Sequence, residues 1–170
     1  MRTEILRLPE TTDAFRAVHS DGDGIPGLMV DKFADVLSVE VTTLAVWQRL
    51  EGWLPLLHEM LGTKHTVVSF DERAMAAERI PPRNLEELRA RLTSEITAVK
   101  IREHGVRFHV NFESGHKTGF FCDQRGNRAQ FARWARGRKV LDLCCYTGGF
   151  AVAAMAGGAG EVTGVDLDEK

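Results

Sequence analysis

The chain has 170 residues and a formal net charge of −2, with 44% hydrophobic and 27% charged side chains. That balance describes a globular protein with enough apolar side chains for a sizeable core, in one domain or two small ones. No apolar run approaches the roughly 18 residues of a membrane-spanning helix, which excludes an integral helical membrane protein. The first nine residues carry Arg2, Glu4 and Arg7 and lack the apolar stretch of a secretory signal. The cysteines Cys122, Cys144 and Cys145 make a poor disulfide framework, and no C-x-x-C pair offers a zinc site. The expectation is therefore a reducing, cytoplasmic location with no membrane partner and no metal.

The small net charge hides an uneven distribution. Residues 1–98 carry 11 basic and 16 acidic side chains, residues 99–139 carry 10 and 3, and residues 140–170 carry 1 and 5. A basic segment between acidic flanks is either a solvated face or a footprint for a polyanion such as RNA. Lys100, Arg102, Arg107 and Lys117 are the candidate phosphate contacts in that segment.

In chain order, residues 11–19 read as the start of a short helix, with Thr11 or Thr12 as its cap. The run Asp21-Gly22-Asp23-Gly24-Ile25-Pro26-Gly27 is a dense turn signal. Its D-x-D-G spacing is that of a calcium loop, but Lys32 stands where the closing Glu belongs, so calcium is rejected. Leu28–Phe33 and Val36–Thr43 form a predicted hairpin around Ala34-Asp35. Helical spacing follows through Trp47, Leu50, Leu54, Leu57 and Leu61, with Pro55 expected to kink or split the helix and both Trp47 and Trp53 assigned to the core. Thr66–Phe70 is a predicted strand, and 79–95 reads as an exposed connector rich in Arg and Glu.

A domain boundary is expected near 95–105. Ile96–Ile101 and Val106–Phe112 then predict a second hairpin around Glu103-His104-Gly105. Asn127–Arg136 reads as a helix carrying Phe131 and Trp134, Lys139–Leu143 as a buried strand, Gly148–Ala156 as a helix and Glu161–Val165 as a second strand. Strand, turn, helix and strand make one βαβ unit, hence a parallel pair.

The turn between Asp142 and Gly149 is the most informative stretch. Asp142 lies near the end of the first strand, and Asp166 follows the second, 24 residues later. In doubly wound sheets ligands bind at those strand tips. A carboxylate there can accept hydrogen bonds from ribose hydroxyls, and Gly148 or Gly149 lets a ligand lie against the backbone. A dinucleotide site needs G-x-G-x-x-G, whereas Cys144 and Tyr146 occupy the early glycine positions. The bulkier turn suits a cofactor without a pyrophosphate, for which S-adenosylmethionine (SAM) is the natural candidate. A P-loop is excluded, because Gly115-His116-Lys117-Thr118 lacks the G-K-[ST] sequence.

Two segments carry a family resemblance: Asp142-Leu143-Cys144-Cys145-Tyr146-Thr147-Gly148-Gly149-Phe150 and Gly115-His116-Lys117-Thr118-Gly119-Phe120-Phe121-Cys122-Asp123-Gln124-Arg125. Together they resemble the class I SAM-dependent methyltransferases that make 5-methylcytosine in large-subunit ribosomal RNA. Gly22–Leu28 and Val30–Phe33 resemble the segment ahead of that family's catalytic domain, so the resemblance spans roughly residues 16–170.

The resemblance implies an α/β fold in three parts. These are a small α+β domain that holds RNA (1–98), a β-hairpin linker (99–118) and the beginning of a Rossmann-like SAM-dependent methyltransferase sheet (119–170). It implies a SAM site at Asp142, Tyr146, Thr147, Gly148 and Asp166, with Gln124 and Arg125 on the near wall; His116 and Lys117 are weaker candidates. Cys122, Cys144 and Cys145 are expected to pack as small hydrophobes. Carbon-5 methylation needs an activated thiolate, and the resemblance places that nucleophilic cysteine beyond Lys170. Without that cysteine the chain is expected to be catalytically inactive; later strands of the family sheet are also expected beyond Lys170, so uncovered strand edges predict association into a homo-oligomer, strand swapping or disorder. Other readings are methylation of an exocyclic amine, a nicotinamide oxidoreductase and a non-enzymatic RNA-binding module.

Overall fold

The computed structural model describes residues 2–113 and 119–167. Its first half is a four-stranded sheet in the order β1-β2-β3-β4, from β1 (Ala14–His19), β2 (Leu28–Phe33), β3 (Val36–Val41) and β4 (His65–Phe70). The first three strands run antiparallel, and β4 lies parallel to β3. The connection between those parallel strands is helical, through α1 (Leu44–Trp47) and α2 (Leu50–Leu61). Leu28, Val30, Val39, Val41, Leu50, Leu54 and Val68 build the core between this sheet and its helices, with Trp47 and Trp53 packed on it.

The first hairpin forms around Ala34-Asp35 as its alternating pattern requires. Three expectations for this half fail. Residues 14–19 are a strand, because Ala14 and Phe15 find buried places against β2 while Thr12 Oγ1 accepts from the Ala14 N–H at 3.0 Å, a local turn bond in place of a helix cap. The helical run breaks at Gln48-Arg49, and α2 continues through Pro55. Pro55 and Glu51 are both exposed, so the carbonyl left without a helical partner faces water. Residues 82–92 form α4 (Pro82–Leu92), preceded by α3 (Glu72–Ala77). Leu85 and Leu88 of α4 are buried, and Pro82 sits at its first turn, where a missing N–H costs nothing. After α4, Thr93 Oγ1 and Ser94 Oγ accept from the N–H groups of Val68 and Thr66, both at 3.1 Å, which closes the open edge of β4.

His58 ties α2 to this sheet. Its two ring nitrogens lie 2.8 Å from the hydroxyls of Thr63 and Thr66, and burial pushes its pKa down. An imidazole held below its unfolded value contributes stability above about pH 6.5, and that contribution is lost as the pH falls through the folded value. Urea midpoints measured from pH 7.5 to 5.5 are expected to fall, and His58→Gln to flatten the slope. An unchanged slope in the variant removes His58 from the pH dependence.

The second hairpin, β5 (Ala98–Glu103) and β6 (Val106–Asn111), turns at His104-Gly105. It joins the first sheet at the start of β1, where Asp13 N–H donates to the Arg102 carbonyl (3.2 Å) and His104 N–H to the Thr11 carbonyl (2.8 Å). Ile101, Phe108 and Val110 share a second core with Ala14, Phe33, Phe120 and Cys122.

The last part holds α5 (Arg125–Trp134), β7 (Lys139–Leu143), α6 (Gly149–Ala156) and β8 (Glu161–Val165). Strands β7 and β8 pair in parallel from Lys139↔Glu161 to Leu143↔Val165, the βαβ unit that begins a Rossmann-like sheet. Strand β7 is not buried as expected: Leu141 and Leu143 are 60% and 66% exposed. They alternate with Val140 and Asp142, which lie toward α6, and no described residue covers their face. Among the described residues no helix is long and apolar enough to cross a membrane.

Candidate functional site

The turn from β7 into α6 places three residues in the left-handed backbone region: Cys144 (φ 58°), Tyr146 (φ 50°) and Gly148 (φ 72°). For the two non-glycine residues this conformation costs about 1–2 kcal/mol each, so surrounding bonds must hold it. Cys145 N–H donates to the Val165 carbonyl at 3.1 Å, and Gly148 N–H to the Cys145 carbonyl at 2.8 Å. The two strand-tip carboxylates complete the brace. Asp166 Oδ2 accepts from Tyr146 N–H at 2.6 Å, and Asp142 Oδ2 accepts from Ala151 N–H at 3.0 Å, in the first turn of α6.

Asp142, Tyr146, Thr147, Gly148 and Asp166 are thus gathered around one turn. Thr147 is exposed, and a Cβ built on Gly148 would meet nothing within 4 Å. The acceptor set and the room fit a nucleoside with an amino-acid tail: carboxylates to accept from hydroxyl and ammonium groups, and no bulk at the backbone. Strain held by a network at a strand tip is also typical of a ligand site.

The Gly119–Arg125 segment forms the adjoining wall. The Tyr146 hydroxyl donates to the Gly119 carbonyl at 3.4 Å, and the Phe121 and Tyr146 rings meet edge to face at 5.5 Å. Gly119 has φ 107°, and a Cβ there would lie 2.8 Å from Val110 Cγ1, so only glycine lets the chain pass. Gln124 is held along this segment, donating to Asp123 at 3.0 Å and accepting from Asn127 at 2.9 Å. Arg125 lines a cavity beside Arg16 and His19 that no residue of the 144–148 turn borders. His116 and Lys117 lie outside the described residues.

Sequence reasoning missed the strut behind this wall. Arg128 is buried and makes a bidentate ion pair with buried Glu103, both contacts at 2.7 Å. Its Nη2 also donates to the Phe121 carbonyl at 3.0 Å, and its guanidinium lies 4.6 Å from the Phe120 ring centre. The available signal was Glu103 at an inward-facing position of the strand whose neighbours Lys100 and Arg102 are basic.

The cysteines divide. Cys122 is buried as expected, and burial raises its thiol pKa far above neutrality, which keeps it protonated. Cys145 packs against Gly164, where a Cβ would lie 3.2 Å from its Sγ. Cys144 departs from the expectation of packing: it is exposed, because the left-handed turn carries it out of the core. Among the described residues no three potential metal ligands cluster.

Of the candidate phosphate contacts, Lys100, Arg102 and Arg107 share the outer face of the second hairpin, all exposed, with Arg102 directly opposite Arg107.

Residues 59–170 match the family model of S-adenosylmethionine-dependent methyltransferases. The chain is similar to ribosomal RNA large subunit methyltransferase I of Aeromonas hydrophila, at 38% identity over 159 residues, 91% of this chain and 38% of that protein. It is 35% identical over 158 residues to a ribosomal RNA large subunit methyltransferase of Deinococcus radiodurans, covering 92% of this chain and 38% of the relative. In fold it is similar to a methyltransferase crystallised with S-adenosylhomocysteine (SAH), with a TM-score of 0.75, 24% identity, and coverage of 99% of this chain and 42% of that one. The chain thus spans about two fifths of the length of these relatives.

Proposed function

We propose, from the premise that this chain belongs to the S-adenosylmethionine-dependent methyltransferase family, that it binds SAM at the 144–148 turn and serves methyl transfer to large-subunit ribosomal RNA. The observation that carries this reading is a turn open at Gly148 and held between two strand-end carboxylates, Asp166 on the Tyr146 N–H and Asp142 on the Ala151 N–H at the start of α6. SAM supplies the electrophilic methyl group. Asp166 holds the strained backbone at Tyr146 and Asp142 pins the first turn of α6; they would put negative charge beside the hydroxyl and ammonium groups of SAM, with Tyr146, Thr147 and Gln124 as its walls. The names of the relatives from Aeromonas hydrophila and Deinococcus radiodurans support the RNA class.

Carbon 5 of a cytosine is the proposed acceptor atom, and its chemistry requires a thiolate on carbon 6. Cys122 is protonated in its core, and Cys144 and Cys145 belong to the cofactor turn, so none of the three is assigned that role.

Calorimetric titration of the chain with SAH is expected to show one saturable site. NAD is expected to give no heat, and Asp166→Ala to weaken SAH by at least about tenfold, the loss of one charge-assisted brace. Equal binding of SAH by Asp166→Ala and the parent chain would sink the assignment.

We assign the outer face of the second hairpin to RNA phosphates. Like charges placed opposite each other cost a sheet a few tenths of a kcal/mol, so the Arg102–Arg107 pair is a feature that stability alone does not favour. Changing Lys100, Arg102 and Arg107 to alanine is expected to leave thermal stability unchanged or higher. In filter binding with ribosomal RNA it should reduce the slope of log K against log salt by about two to three. An unchanged slope removes the hairpin from the interface.

A further inference from the structure

A cavity of about 560 Å³ lies between β1, the N-terminal residues and the Gly119–Arg125 wall. Three features set it apart. Its walls combine the rings of Phe15, Phe120 and Phe121 with the cationic side chains of Arg2, Arg16 and Arg125, against one carboxylate, Asp123. Arg2 and Arg16 are engaged with Asp23 and Asp31, whereas Arg125 has no ion pair among the described residues. Finally, Phe121 is shared: its ring borders this cavity and also meets Tyr146 of the cofactor turn at 5.5 Å. One aromatic ring therefore separates the cavity from the turn.

A methyl acceptor must be delivered close to the methyl donor, and ordinary ligand pockets occupy about 300–1,000 Å³. Unstacked RNA bases are held against aromatic side chains and guanidinium planes, and phosphates by unpaired arginines. We propose that this cavity receives one nucleotide of a single-stranded RNA segment, its base against the exposed ring of Phe121 and its phosphate on Arg125. This acceptor role rests on the methyltransferase reading above. It gives β1 and the N-terminal residues a part in substrate binding and moves Arg125 from the cofactor to the RNA.

Two variants test it without disturbing the turn. Arg125→Ala removes the proposed phosphate contact, and Leu6→Trp fills the cavity from its exposed rim. Cytidine 5′-monophosphate is titrated into the chain with NMR detection, and a short single-stranded RNA is used as competitor. Both variants are expected to weaken the nucleotide by at least about tenfold while SAH affinity stays within about twofold, and the RNA is expected to displace the nucleotide. Nucleotide affinity unchanged in both variants overturns the proposal, as does equal competition by inorganic phosphate alone, which would mark a bare anion patch. Absence of SAH binding with nucleotide binding retained overturns the methyltransferase reading, and with it the acceptor role, while leaving the cavity as a nucleotide site.

Discussion

Arg128→Ala is expected to lower the unfolding free energy by about 3–5 kcal/mol, the usual cost of leaving one member of a buried ion pair unpaired. Glu103 and Arg128 are both almost wholly buried, and their two parallel contacts use the full fork of the guanidinium. Removing the cation leaves a carboxylate in the core, takes one of the donors from the Phe121 carbonyl and strips the Phe120 ring of its cover. Against a typical total of about 5–15 kcal/mol this is a large share. A double change, Glu103→Met with Arg128→Met, is expected to be much less harmful, since well-packed apolar residues often replace a buried pair at little cost. Urea unfolding of the single and double variants measures both. A single variant within about 1 kcal/mol of the parent would show that the pair is not buried in solution.

The same substitution should reach the 144–148 turn. Arg128 holds Phe121, whose ring packs on Tyr146, and its Cδ lies 3.4 Å from where a Cβ on Gly149 would stand. Looser placement of this wall is expected to weaken SAH in the single variant even under conditions where it stays folded.

Gly157→Ala is expected to be the other severe change. A methyl group there would lie 2.2 Å from the Ala132 carbonyl oxygen and 2.7 Å from its carbon, both backbone atoms that cannot step aside. Gly157 has φ −76°, an ordinary value, so the cost is steric and not conformational. Helices α5 and α6 must separate, breaking the Phe131–Phe150 contact and the fit of α6 on β7. Overpacking of this kind costs about 1–3 kcal/mol when side chains can adjust, and more where only backbone can move. Gly126→Ala is the control: it lies in α5, a Cβ there meets nothing within 4 Å, and the change is expected to stabilise by about 0.4–1 kcal/mol. Thermal melts of the pair should move in opposite directions. Equal melts would mean that α5 and α6 are not in close contact.

Much of the site was legible because its signals are local. Lys139–Leu143, the bulky turn and Gly148–Gly149 lie within eleven consecutive residues, and a strand tip, a left-handed glycine and a helix start each leave a mark within a few positions. The second hairpin was legible for the same reason, since His104-Gly105 sits between alternating apolar residues. Residues 14–19 were not. Their short mixed pattern suits either element, and the choice fell to β2, which offers them a register. Helix α4 was hidden among its charges, with Leu85, Leu88 and Leu92 marking the inward face.

Local pattern alone was enough for the βαβ unit with its carboxylates and glycines, for the two hairpins and for the basic character of residues 99–139. Packing across the chain sets which backbone groups these carboxylates reach, Asp166 the turn at Tyr146 and Asp142 the first turn of α6, and brings Glu103 to Arg128 across 25 residues. It also decided that Arg125 faces a cavity beside β1 while Leu141 and Leu143 stay exposed. The reason is one of range. Periodicity and turn chemistry act over a few neighbouring residues, whereas a side chain's burial, partner and charge environment depend on which distant segment packs against it, as Asp13 does against Arg102, 89 residues along the chain.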